Sequence, residues 1–500
     1  MRNALTKLQT SWPAPSLMIL LLVVLFACQA DAGLVRLQTL MEGGAGEAAW
    51  TNFYPAGPAG DFNGDGFSDV IIGFPMGVCG RIYLYFGSAG ASGSKREPDA
   101  FIAWDEEKVH SFYGRSVAGI GDLNGDGFDD VAVGMVPRDG PVGYRYEEET
   151  GNVFIYFGTP LTIAPDSPWA VRLNGERTSD CFGQSVAHVP NFDGDEYPDV
   201  LVGAPGNDRG GHGAGAAYLF LGRNLRTKET VSAAEADMIV IGESPEDLMG
   251  DSLACAGDFN GDGLDDLIIG AHWADRAGPI AGASYIIFGA ISPPREILAS
   301  AADVILVGEA PEDQFGLSVA GCGDINSDGV ADVIVGAPFH DRGRPLNNSD
   351  GGKAYVFLGG DDLTGEVSAA GAMLPVIGIL ASGIDDKPWD HFGCSVSGCG
   401  DLNSDGFEDF VVSAMDFGLE SSFDMEGRIY VYFGGAGVPD GVVDAFDTGA
   451  GPLYWLGQSV SRAGDFNGDG RPDFLAVAAG FADADNPSMD TPAVIVYEYQ

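Results

Sequence analysis

Basic residues are scarce in this chain: 25 Lys and Arg stand against 73 Asp and Glu among 500 residues, a formal net charge of −48. A field of that sign repels phosphate backbones and anionic headgroups, which argues against nucleic acid and anionic membranes as partners. Cysteine is scarce as well, with seven in all. None falls into Cys-x-x-Cys or a Cys/His spacing, so the chain carries no zinc signature. The six histidines are scattered at non-equivalent places, and Gly-x-Ser-x-Gly, His-Glu-x-x-His and the phosphate loop are absent. The usual hydrolase and nucleotide-binding motifs are therefore missing. No apolar run after Phe26 is long enough to span a membrane. Helical periodicity is nearly absent, which disfavours an α-helical repeat.

Glycine is plentiful instead, with 75 residues. A nine-residue pattern recurs seven times, with an acid or amide at positions 1, 3, 5 and 9 and glycine at position 6 in six copies. The copies supply Asp61, Asn63, Asp65 and Asp69; Asp122, Asn124, Asp126 and Asp130; Asn191, Asp193, Asp195 and Asp199; Asp258, Asn260, Asp262 and Asp266; Asp324, Asn326, Asp328 and Asp332; Asp401, Asn403, Asp405 and Asp409; and Asp465, Asn467, Asp469 and Asp473. Oxygen donors at alternate positions of a tight loop are what a hard cation such as Ca²⁺ requires. Position 7 would add a backbone carbonyl, and the acid at position 9 separates the pattern from an EF-hand, whose last ligand is at position 12. Without an ion, two carboxylates about 4 Å apart repel by roughly 4 kcal/mol at an effective dielectric of 20. We therefore expect up to seven Ca²⁺ ions in a structural role. The third loop exchanges Asn and Asp and has Glu196 where the others have glycine, so it is expected to be the weakest site. Seven divalent ions would offset less than a third of the net charge.

Successive loops start 61 to 77 residues apart, a length that suits one four-stranded antiparallel sheet with its turns. Before each loop comes an aromatic or apolar residue with glycine, as in Phe315-Gly316; after it comes an apolar strand, as in Val333 to Pro338, then a second strand such as Gly352 to Gly359. A weaker fourth stretch is exemplified by Val304 to Gly308. The runs are apolar on both faces, so each sheet must be covered on both sides. Blades of a propeller satisfy this, and seven repeats predict seven blades in an all-β fold. Gly33 to Gln38 resembles a fourth strand with no blade before it, while Ala493 to Tyr497 is a third strand. The N-terminal strand is thus expected to complete the last blade, making residues 33–500 one domain. Residues 1–32 read as a secretion signal, with Arg2 and Lys7, an apolar core from Leu17 to Phe26, and Ala30-Asp31-Ala32 as cleavage site. Leu25-Phe26-Ala27-Cys28 offers the competing reading of a lipoprotein anchored at Cys28.

Phe-Gly, the Asp-x-Asn-x-Asp-Gly-x-x-Asp loop and Gly-Ala-Pro follow one another in a fixed order, most clearly at Phe182-Gly183 with Gly203-Ala204-Pro205 and at Phe315-Gly316 with Gly336-Ala337-Pro338. In this the chain resembles the FG-GAP repeats of the integrin α-subunit β-propeller. The resemblance implies seven blades, Ca²⁺ in hairpin loops on one rim, and partner binding on the opposite rim. No residues remain in the sequence for the stalk domains or transmembrane helix of an integrin α-subunit, so the propeller alone is expected. The leading expectation is a secreted or cell-surface module that binds an extracellular protein or glycan and is not an enzyme. The alternative is a secreted hydrolase or lyase with a site at the propeller channel. Loops on the partner rim carry Asp208-Arg209, Asp275-Arg276 and Asp341-Arg342, with His272-Trp273 and His340 beside two of them. These pairs either form a binding surface, with Trp273 as its best contact, or merely stabilise similar loops. Cys255, Cys322 and Cys399 are read as small buried hydrophobes, while a disulfide from Cys79, Cys181 or Cys394 stays open. Asn347-Asn348-Ser349 is a glycosylation sequon.

Overall fold

The computed structural model describes residues 33–40, 55–75, 80–95, 97–103, 111–137, 150–160, 169–341, 351–360, 363–371, 374–376, 390–418, 425–437, 441–449, 454–479 and 493–500. Residues 1–32, expected to be a secretion signal and including Cys28, lie outside these residues, as do Cys79, Arg342 and the sequon. Seven sheets are formed, each built on four antiparallel strands. In the fifth blade these are Ser318–Gly323, Asp332–Ala337, Lys353–Phe357 and Leu374–Val376, numbered from the channel outwards. The first strands touch one another in order from blade 1 to blade 7 and back to blade 1, so the sheets close into a propeller. Among the described residues, no helix is long and apolar enough to cross a membrane.

The seventh blade joins the two ends of the chain. Leu34–Leu40 lies antiparallel to Ala493–Tyr499, pairing Leu34 with Tyr499 and Leu40 with Val494. The edge that Ala493–Tyr499 would otherwise expose is thereby covered.

Four blades depart from the four-strand expectation by adding a short outermost strand, parallel to the fourth: Gly93–Lys95, Thr230–Ser232, Glu296–Leu298 and Gly365–Ser368. Each comes from the following blade, between its third and fourth strands. Val304–Val307, for example, pairs with Gly365–Ser368. The outer edge of one blade thus finds its hydrogen-bond partners on the next.

The cores lie between blades. Seven apolar clusters occur among the described residues, one at each interface between neighbours. In Asp332–Ala337, every residue of which is buried, Val333 and Val335 face blade 4 while Ile334 faces blade 6. This two-sided burial explains the unbroken apolar runs, and each such side chain contributes roughly 1.5–3 kcal/mol. Gly316 holds φ at +90°, and a Cβ there would lie 2.5 Å from the Ala283 carbonyl oxygen. The glycine of the aromatic-glycine pair is therefore required by backbone conformation and by a close approach. Around the channel, serines clip each blade to the next: Ser116 Oγ donates to the Gly183 carbonyl (2.8 Å), Ser185 to Gly250 (2.7 Å) and Ser252 to Gly316 (2.7 Å).

Candidate functional site

The nine-residue loops join first to second strands, so all seven lie on one rim. A buried apolar residue at position 2, such as Phe62 or Phe259, anchors each loop in the core. In the first loop the Asp65 amide donates to Asp61 Oδ1 (2.9 Å) and to Asn63 Oδ1 (2.8 Å), while the Gly66 amide donates to Asp61 Oδ2 (2.9 Å). The side-chain oxygens of positions 1 and 3 thus converge on one turn. The same bonds recur in the loops starting at Asp122, Asp258, Asp324, Asp401 and Asp465. Loops are also tied to one another through position 8. The Asp129 amide donates to the Asp61 carbonyl (3.2 Å), and the Ser68 amide donates to the Asp465 carbonyl (3.1 Å), which links first blade to last. Pro198 and Pro472 hold this position in the third and seventh blades and have no amide hydrogen to give.

Position 9 is the most buried acid of each loop. Asp266 Oδ2 accepts from the Phe259 (2.9 Å) and Asn260 (3.2 Å) amides, and its Oδ1 accepts from Gly289 (2.7 Å), just past the third strand. Burial pushes its carboxyl up to about 7, with further repulsion from Asp262 and relief from the three amides. Asp69, Asp130, Asp199, Asp332, Asp409 and Asp473 are likewise buried and pushed to about 7. Among the described residues, no lysine or arginine forms an ion pair with the acids of the loops at Asp61, Asp122, Asp258, Asp324 or Asp401; in the last loop Arg471 reaches Asp469 (3.2 Å). An all-oxygen donor set carrying three negative charges, one of them desolvated, suits a hard divalent cation. Six loops fit that description in their donor chemistry, although among the described residues no three acids are drawn together into a ready metal cage.

The third loop does not. Glu196 is not among the residues with positive φ, so the chain avoids the left-handed turn that glycine makes in the other copies. Asn191 turns its amide towards the Gly263 carbonyl of the neighbouring loop (3.4 Å), and its Oδ1 is buried with no hydrogen-bond partner. Arg223 forms ion pairs with Asp193 and Asp195.

On the opposite rim, the Asp-Arg pairs act separately. Asp208 accepts from the Gly213 amide (2.8 Å) and Asp275 from Ile280 (2.8 Å), each closing its own loop. Arg209 bonds Glu176 and Glu296 (both 2.7 Å); Arg276 bonds Glu243 and Glu366 (2.6 Å each). Repetition of one loop-stabilising device accounts for these pairs. Trp273 remains 41% exposed at the surface, with buried His272 edge-on to its ring.

The channel contains a cavity of about 680 Å³ lined by residues from the starts of six first strands and the adjoining connections. Those strand ends lie away from the nine-residue loops. One wall is polar: Arg115, Gln184 and Asp251, with Gln184 donating to Asp251 Oδ1 (3.0 Å). Another is apolar, with Leu317, Met415 and Trp455. Asp416, also in the lining, lies 2.6 Å from His391 Nδ1, and His272 Nδ1 is 3.8 Å from Asp251 Oδ2. Gln458 Oε1 is buried there with no hydrogen-bond partner. Apart from Cys394, named only as a disulfide candidate, none of these lining residues was singled out by sequence reasoning, because six blades contribute to the cavity. The only signal is the variable residue after the glycine of each aromatic-glycine or apolar-glycine pair: Arg115, Gln184, Asp251, Leu317, Cys394 and Gln458. Among the described residues Cys255, Cys322, Cys394 and Cys399 are free thiols, and burial pushes that of Cys394 up to about 11.

The family profile described as FG-GAP repeat matches residues 113–156, 182–220, 251–287, 315–357, 392–432 and 456–496; a second, FG-GAP-like repeat, matches 61–133. The chain is 33% identical over 176 residues to integrin alpha-4 of Xenopus laevis, a match covering 34% of this chain and 16% of that protein. It is 30% identical over 250 residues to integrin alpha pat-2 of Caenorhabditis briggsae, covering 47% and 18%. Against integrin alpha-5 of Xenopus laevis it is 29% identical over 269 residues, covering 50% and 21%. The matched stretches therefore span about a fifth or less of these relatives' lengths.

Proposed function

The chain belongs to the FG-GAP repeat family, and from that premise we propose that it is a secreted or cell-surface adhesion module, its ring held by Ca²⁺ and its partner an extracellular protein or glycan. The observation that carries the binding reading is the cavity at the channel end away from the nine-residue loops, where Arg115, Gln184 and Asp251 face Leu317, Met415 and Trp455. A concave site with a few convergent polar groups and an aromatic wall is the usual form of a recognition site. Trp273, exposed on the same rim, extends that surface. The Ca²⁺ reading rests on the fit of the six loops. There the side chains at positions 1, 3, 5 and 9 would hold the ion, whose charge would offset their mutual repulsion.

Arrays of glycans and extracellular matrix proteins, probed with the full chain in calcium, test the binding. Trp273→Ala and Asp251→Asn are each expected to weaken capture, by about 30-fold if the residue is a hot spot worth about 2 kcal/mol. Unchanged capture by both, with folding intact, would remove the rim from consideration.

One arrangement favours a second reading, a hydrolase or lyase at the channel: Asp251 and Asp416 both line the cavity, each with a histidine near it. Against it, burial lowers the pKa of His272 and keeps the Cys394 thiol protonated, so a thiolate nucleophile is not at hand. If the wild type turns over any bound glycan and Asp416→Asn does not, the enzymatic reading prevails.

A further inference from the structure

Among the described residues, the third blade alone has a helical turn, Gly222–Leu225, immediately after its third strand. Its start is fixed from below, since the Gly222 amide donates to the position-9 carboxylate Asp199 (2.9 Å). The far side is fixed too, with Asn224 Nδ2 donating to Asp237 Oδ1 (2.7 Å). Held in this way, the turn aims two arginines at the same loop. Arg223 ion-pairs with Asp193 and Asp195, at positions 3 and 5. Arg226, one residue beyond the turn, stacks its guanidinium over the ring of Tyr197 at position 7, 4.3 Å from the centroid.

We infer that Arg223 is the built-in cation of the third loop, so that the chain carries six exchangeable divalent-ion sites and one closed by its own side chain. Three independent departures coincide at this loop. Glycine is replaced at position 6, and the backbone avoids positive φ there. The first-position side chain sends its Nδ2 to the neighbouring loop, and its Oδ1 takes no hydrogen bond from the amides of its own turn. The carboxylates at positions 3 and 5 are engaged by a guanidinium, which supplies charge but, having five N–H donors and no lone pair to share, leaves their oxygens turned towards itself. A divalent ion and the Arg223 head group would compete for the same two carboxylates, and at the first position the ion would meet the neutral amide oxygen of Asn191 where the other six loops offer a carboxylate.

This inference rests on the calcium reading of the other six loops, and one experiment separates the two. Full-length protein is dialysed to equilibrium against millimolar calcium and its bound calcium is counted by elemental analysis. Six ions per chain are expected; seven would overturn the role given to Arg223, whereas none would overturn the calcium reading itself. Asp193→Asn gives a second readout that leaves Arg223 in place. The count is expected to stay at six in this variant, and a fall by one would show that the loop binds metal. Arg223→Gln should lower the melting temperature in chelator, because Asp193 and Asp195 lose their counter-charge. An unchanged melting temperature would also overturn the inference.

Discussion

Asp266→Asn is expected to destabilise the protein by about 4–6 kcal/mol in calcium and by much less in chelator. Asp266 accepts three backbone amides through two oxygens. Asparagine keeps only one acceptor oxygen and turns an NH₂ towards donors, leaving at least one buried amide unpaired, at a cost of about 1–3 kcal/mol. Loss of the ion adds about 2.7 kcal/mol when free calcium exceeds the dissociation constant a hundredfold. In chelator the substitution also removes a carboxyl that burial has pushed to about 7, which offsets part of the loss at neutral pH. Denaturant unfolding of both proteins, with and without calcium, measures the difference. An equal loss under both conditions would mean that Asp266 is a structural acceptor and not a ligand.

Metal-free protein is expected to become more stable as pH falls from 8 to 6, the reverse of ordinary acid sensitivity. Seven position-9 carboxyls have folded-state values near 7 against 3.8 for the free side chain. A raised value means that the folded state binds the proton more tightly than the unfolded chain. The stabilisation is complete below about 4 and is lost as pH rises through 7. Each unit of displacement corresponds to about 1.4 kcal/mol, and all seven groups act in one direction. In saturating calcium the sign inverts, since protons then compete with the ion for the same oxygens. Melting temperatures at pH 6, 7 and 8 in chelator and in calcium should therefore run in opposite directions. Parallel curves would refute the pairing of these carboxylates with a cation.

Blade number, ring closure and the rim on which the loops lie were legible because each follows from a repeated local pattern. Loop spacing set the blade, unbroken apolar runs such as Val333 to Val335 required cover on both faces, and Leu34–Leu40 was a fourth strand without a blade. The added outer strands were not legible: Thr230–Ser232 is short and partly exposed, and its partner Val171–Asn174 belongs to the preceding blade. At Asp208-Arg209 and Asp275-Arg276 the loop-stabilising alternative is the one the structure bears out, although adjacency gave no sign that the two members bond to different groups. Glu196 marked the third loop as unusual. That Arg223 reaches it depends on a helical turn which Gly222–Leu225 does not announce by composition. The channel mouth was hidden for the opposite reason, since it takes single residues from six blades.

Thermal unfolding of the purified chain at pH 7.5, in millimolar calcium and again in excess EGTA, tests most directly whether oxygen-lined hairpins and their ions hold this ring together. Six sites at about 2.7 kcal/mol each exceed the 5–15 kcal/mol net stability of an ordinary protein. We therefore predict a melting temperature about 15 °C or more lower in EGTA, restored when calcium is returned. Coincident melting curves in the two buffers would contradict the account at its root.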